Sequence, residues 1–355
     1  MNLKRKKGAI LIITLWILAI LTILSVGIAG RMGLELKLAG YYRDNMKALY
    51  LAKAGIERAV AEKEINDTVS DADTLNETWA NSPGLFDGKN PFNEGTETGN
   101  SYYTVKYTYK VTKDAEGVEL CGMADEASKI NINKIVSGDT VDTVRKEQLI
   151  TLLELICGPE VDATAKVDAL TDWIDTGSTA QGTSEDENSK YYPDMGSGYC
   201  KNGPLDSIEE LFLVKGFEDP AILYGDKNQG KIGIIDYITI HPDDGKVNVN
   251  TAPKEVLQAL GFKDDFETIA DKIIAYRNNP ENPPITSPQG LTTALTDLTS
   301  DEISKINSVI PYLTTTSAVF RINAYSKVNN VRKHINCVVK LIPGSLHEIK
   351  YWNEE

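Results

Sequence analysis

The chain opens on an apolar block without equal elsewhere in it: no charged residue occurs between Ala9 and Ala29. That length matches the roughly 20 apolar residues a helix needs to cross a bilayer. The pattern then changes period instead of stopping. From Arg31 onward, Leu34, Leu38, Tyr42, Leu49, Ala52, Ile56 and Val60 recur at helical spacing among charged residues, and no turn signal intervenes. One continuous helix over 9–63 is predicted, with 9–30 in lipid and the remainder standing above it. A cleaved secretory signal has a shorter apolar core followed by a small-residue cleavage site, so it fits this pattern poorly.

Between Asn66 and Asn100 the composition turns to Asn, Asp, Thr, Ser, Gly and Pro, which reads as a loop or weakly ordered connection. The aromatic and β-branched run from Tyr102 to Val111 predicts a strand, with Val118–Gly122 as its partner across a turn at 114–117. A second strand pair is expected at Val319–Tyr325 and Ile335–Leu341, around Asn329-Asn330. Between these strand regions the periodicity is helical: Val144–Ile156, Val167–Ile174, Ile208–Val214, with a capping box from Ser207 and Glu210, and Phe266–Arg277. A weak repeat lies within this stretch. Lys129-Ile130-Asn131-Ile132-Asn133 recurs as Lys246-Val247-Asn248-Val249-Asn250, and an apolar helix ending at Gly158 or Gly261 follows each copy. Two helix-hairpin-helix units are predicted, with the asparagines bonding local backbone and Thr251 capping a helix that has Pro253 in its first turn.

Charge gives the membrane segment a direction. Lys4, Arg5, Lys6 and Lys7 immediately precede it, so the N-terminus is expected in the cytoplasm and everything after Arg31 outside. The formal net charge of −14 falls further if those cations are removed, and such a head repels phosphate backbones. The four cysteines, Cys121, Cys157, Cys200 and Cys337, have no C-x-x-C spacing; three disulfide connectivities and four free thiols all remain open.

A basic leader, Gly8 and an apolar helix starting at Ala9 resemble the prepilin signal of type IV pilins and of the pseudopilins of type II secretion. The resemblance implies that prepilin peptidase cuts after Gly8 and that Ala9 becomes the methylated N-terminus. Most members of that family carry glutamate at the fifth mature residue, where this chain has Ile13. A subunit without it resembles minor pseudopilin K, the GspK family, as does the stretch Ala48-Leu49-Tyr50-Leu51-Ala52-Lys53-Ala54-Gly55-Ile56-Glu57. The implied fold is α+β: a pilin-like fold with a long N-terminal transmembrane helix and a small antiparallel sheet interrupted by a large inserted helical, SAM-like domain. Its expected parts are a leader at 1–8, the helix at 9–63, a first part of the sheet at 64–122, the insertion at 123–311 and a last part of the sheet at 312–355. The implied role is capping the tip of the pseudopilus in the inner membrane together with the I and J minor pseudopilins, with the head extracytoplasmic. A type IV minor pilin shares the N-terminus, and a helix-hairpin-helix DNA-capture protein shares the repeat. The acids around the second repeat, among them Asp243, Asp244, Asp264, Asp265 and Asp271, favour packing over nucleic acid.

The same resemblance implies calcium in the loop that starts at Asp172-Trp173-Ile174-Asp175. Ca²⁺ takes six to eight oxygen ligands and can clamp a long loop that lacks a core of its own, and 175–206 is longer than an unaided connection normally runs. The expected ligands are Glu185, Asp186 and Asp206 first, then Asp172, Asp175 and Asn202. Enzyme chemistry is not expected. Asp175-Thr176-Gly177 has no second copy to share a proton, and the three histidines lack zinc-ligand spacing.

Overall fold

The computed structural model describes residues 4–91, 101–195, 198–226, 228, 230–261, 266–342, 344 and 347–355. The first three leader residues, Asp264 and Asp265 lie outside them. Helix α1 spans Lys4–Asn66, 63 residues or about 95 Å at the α-helical rise. Its apolar part is exposed and is long enough to cross a membrane. Burial begins only at Ala48, where the helix meets the sheet.

That sheet is assembled from both ends of the chain. Strands β1 (Ser101–Val105), β5 (Val319–Val328), β6 (Val331–Lys340) and β7 (Glu348–Glu354) lie side by side in that order, and β4 (Ala124–Asp125) pairs with β5 beyond β1. All of these pairings are antiparallel. The β5–β6 hairpin turns at Asn329-Asn330, where Asn329 takes the left-handed conformation that a tight turn needs (φ 53°). The run expected as one strand from Tyr102 to Val111 breaks at Lys106, which bonds the Asn323 carbonyl; its second half, β2 (Tyr107–Tyr109), pairs instead with β3 (Val118–Leu120).

Alternation along the strands puts Tyr103, Val105, Phe320, Ile322, Ala324, Ile335, Cys337 and Val339 on one face. There they meet Ala48, Leu51, Ala52, Ile56, Ala59 and Val60 of α1. Gly55 permits the closest approach: a Cβ there would stand 2.9 Å from the Tyr103 ring. The connection after α1, described as far as residue 91, is better ordered than its composition suggests; residues 92–100 of the expected loop lie outside the described residues. Trp79 and Phe86 are fully buried in this core, and Trp79 meets Phe320 edge-on with centroids 5.0 Å apart.

The helical insertion leaves the sheet at β4 and returns to it at β5. It has its own core, built from α2 (Thr143–Cys157), α3 (Ala163–Ile174), α5 (Lys254–Leu260) and α6 (Glu267–Asn278). A further, short helix, α4 (Glu187–Tyr191), lies between the two pairs in the chain. Gly158 closes α2 at φ 86°, and α2 packs on α5, with the Gln148 side-chain amide donating to the Leu260 carbonyl at 3.1 Å. The two repeat copies make the same local turn: Asn131 accepts from the Asn133 N–H and Asn248 from the Asn250 N–H.

Two expected caps are not formed. Ser207 forms no side-chain cap: the Glu210 N–H bonds the Ser207 carbonyl, and the Glu210 carboxylate is taken by Trp173, Lys201 and the Asp206 N–H; the segment is a 3-10 helix, Ile208–Leu213. Thr251 turns its hydroxyl to Asp125, and α5 starts at Lys254 behind Pro253 without a side-chain cap. All four cysteines are free thiols.

Candidate metal centre

The last turn of α3 brings Asp172 and Asp175 to one place, three residues apart on a helical face. The chain then doubles back. Thr179 bridges to Asp186, the Ala180 N–H bonds the Glu185 carbonyl, and Asp186 caps α4 by accepting from the Ser189 N–H at 3.0 Å. With Asp186 holding the cap, the next residue, Glu187, turns inward. Asp172, Asp175 and Glu187 each present a carboxylate oxygen within 4.8 Å of the others, and all three residues are buried.

Asp172 accepts from the Gln181 N–H at 2.9 Å, and Asp175 from the Gly177 N–H at 2.9 Å and the Gln181 amide at 3.3 Å. Neither Glu187 oxygen has a hydrogen-bond partner. Burial first, then the charges of Asp175, Asp172 and Asp186, push the Glu187 carboxyl up to about 7, and the neighbouring Cys200 thiol opposes this. Burial also raises Asp172 and Asp175, and burial followed by Glu187 pushes the Cys200 thiol up to about 12. Three converging carboxylates, one of them orphaned, form a pocket of oxygen donors with an uncompensated negative charge. That is the chemistry of a hard divalent cation, and a buried charge of this kind otherwise has to be neutralised by a proton.

The six residues expected from the sequence do not form one cluster. Asp172 and Asp175 are in the group. Asp186 stands beside it as the helix cap, and Glu185 is exposed. Asn202, in the left-handed conformation, donates to the Gly177 carbonyl at 2.9 Å, and exposed Asp206 pairs with Lys201 at 2.8 Å. Glu187 is not among the expected ligands. The signal for it lay in the local order Asp186-Glu187-Asn188-Ser189, in which a capping aspartate makes its successor the first helical residue. Around the group, Trp173 packs against Tyr192 and Tyr199 and donates to Glu210 at 2.9 Å, which ties the loop to the insertion core.

Family models match two parts of the chain: the type II secretion system protein K model over residues 128–223, which contains all three acids, and the PilX N-terminal model over residues 7–57. Type II secretion system protein K of Pseudomonas aeruginosa is 24% identical over 262 residues, covering 72% of this chain and 68% of that protein. One chain of the crystallised GspK-GspI-GspJ complex from the type 2 secretion system of enterotoxigenic Escherichia coli shares the fold, with a TM-score of 0.64 at 16% identity over 89% of this chain and 99% of that one.

A long apolar N-terminal helix laid on a small antiparallel sheet defines a membrane-anchored, pilin-like protein. Within that class, the chain is similar to protein K of type II secretion, over residues 128–223 by the family model and over 262 residues by the Pseudomonas aeruginosa relative.

Proposed function

We propose that this minor pseudopilin closes the tip of the type II secretion pseudopilus and promotes its assembly. The observation that carries this reading is where the insertion sits. It is fastened at the last turn of α1, the end farthest from the membrane, through Lys63, Asp73 and Asn248. A subunit added above α1 would have to occupy that space.

The apolar end of α1 lies in the inner membrane with its basic leader in the cytoplasm, so the head is extracytoplasmic. Prepilin peptidase cuts between Gly8 and Ala9. Ile13 leaves the lipid-embedded segment without a carboxylate, as suits a subunit with no neighbour above it to neutralise; a buried carboxylate in lipid is costly unless paired. Met32, Leu34, Leu38, Tyr42 and Met46 are exposed on α1 beyond the membrane segment. They are the surface for helices of the I and J minor pseudopilins, the kind of assembly in which the solved relative was crystallised. The protein acts by binding and shape and performs no catalysis.

Asp172, Asp175 and Glu187 are the residues that hold calcium in this reading. The ion supplies the positive charge that the three acids lack, and its binding offsets the entropy lost in ordering 175–206.

Deleting 123–311 tests the capping role. The truncated subunit is expected to enter the filament anywhere along its length, and placement at the tip alone would contradict the proposal.

A further inference from the structure

Asp125 and Glu126 are adjacent in the chain and buried, and each gathers bonds from segments distant in sequence. Asp125 lies on β4, opposite Phe320 of β5. One of its oxygens accepts from the Ala127 N–H at 2.7 Å. The other accepts from the Thr251 hydroxyl at 2.6 Å, the Ser317 hydroxyl at 2.7 Å and the Asn248 amide at 3.1 Å. Asn248 also donates to the Asp73 carbonyl, and Asp73 pairs with Lys63 at 2.8 Å in the last turn of α1. Glu126 accepts from Arg321 of β5 at 2.8 Å, from Lys129 at 3.0 Å and from the Thr239 hydroxyl within the insertion. From the departing strand, the bonds of this pair therefore reach the returning strand and both repeat copies, and through Asn248 and Asp73 the network extends to the end of the long helix.

We infer that Asp125 and Glu126 lock the insertion to the pilin sheet, so that sheet, insertion and the upper part of α1 move as one rigid body.

Stability alone does not account for such groups. Burying carboxylates is expensive, and a well-packed apolar replacement of similar volume is often as stable. The cost is visible here: burial raises Asp125, and burial followed by Lys63 as counter-charge leaves Asp73 at about 6. Glu126 is desolvated too, yet Arg321 and Lys129 hold it far below the carboxylate range. What polar groups add over apolar packing is direction. Four donors converging on one carboxylate allow a single relative placement of the segments that carry them, whereas an apolar contact tolerates sliding. The inference depends on the joint itself and stands whether or not the subunit caps a filament.

Differential scanning calorimetry of the full chain in detergent tests it. The wild-type head is expected to melt in one cooperative transition. In Asp125→Asn, which places an amide where donors converge, the insertion and the sheet are expected to melt separately. Thr251→Val and Ser317→Ala each remove one donor and are expected to separate the two transitions by several degrees while the chain still folds. Leu152→Val, inside the insertion core, is the reference: it lowers the melting temperature and keeps a single transition. Two wild-type transitions, or a single shifted transition in all three joint variants, would overturn the lock.

Discussion

Glu187 is buried and faces two further carboxylates, with the Cys200 thiol as its neighbouring weak donor. Its raised carboxyl has a defined consequence. A carboxyl held at about 7 in the fold and near 4.5 when unfolded binds its proton more tightly in the native state. Metal-free stability from this group is therefore greatest below about 4.5, falls as pH rises towards 7 and is flat above it. Calcium needs the ionised form, so its binding should release a proton near pH 6.5 and tighten as pH rises. Titration calorimetry in buffers of different ionisation enthalpy checks this, and binding without proton release would contradict it. Glu187→Gln should raise the metal-free melting temperature at pH 8 and abolish the further rise that calcium gives the parent; a chelator that leaves the parent melt unchanged would remove calcium from the account. Asp172 and Asp175 entered the expected ligand set through the resemblance of Asp172-Trp173-Ile174-Asp175, and the structure places both beside Glu187. Glu187 was not legible in the sequence, because which of three consecutive acids turns inward depends on which one caps the helix.

The elements formed where pattern and burial agreed. The aromatic run gave β1 and β2, and the late apolar alternation gave β5 and β6. Strand β7 went unread because it lies at the sheet edge, mostly exposed, with charged residues at Glu348, Lys350 and Glu354 and no strict alternation. The joining of β1 to β5, more than 200 residues apart in the chain, has no local signature at all. In α1, Ala52, Ile56 and Val60 of the expected amphipathic pattern face the sheet together with Ala48 and Ala59, and Gly55 lies against Tyr103. Gly55→Leu should therefore cost about 1–3 kcal/mol through overpacking against Tyr103, read as a lower denaturant midpoint of the head. Trp79→Ala should cost about 3–5 kcal/mol, because the connection after α1 is anchored in the sheet core rather than loosely draped over it. A surface-like change under 0.5 kcal/mol at Trp79 would show that anchor to be wrong.

At the scale of the molecule, one chain combines a membrane-spanning helix, a sheet closed from both ends and a helical unit placed between its halves. The repeat of Asn131-Ile132-Asn133 in Asn248-Val249-Asn250 announced paired helices, but not that Asn248 would reach across to Asp125 and Asp73. Both hydrophobic cores draw on residues from Ala48 onward, so the head is expected to fold without its anchor. The central claim, a tip subunit working with two other minor pseudopilins, is tested most directly by mixing the head that follows Arg31 with the heads of the I and J minor pseudopilins in calcium and sizing the mixture by light scattering. The account predicts one stable particle with the mass of a 1:1:1 complex. Persistent monomers at micromolar concentration would contradict it.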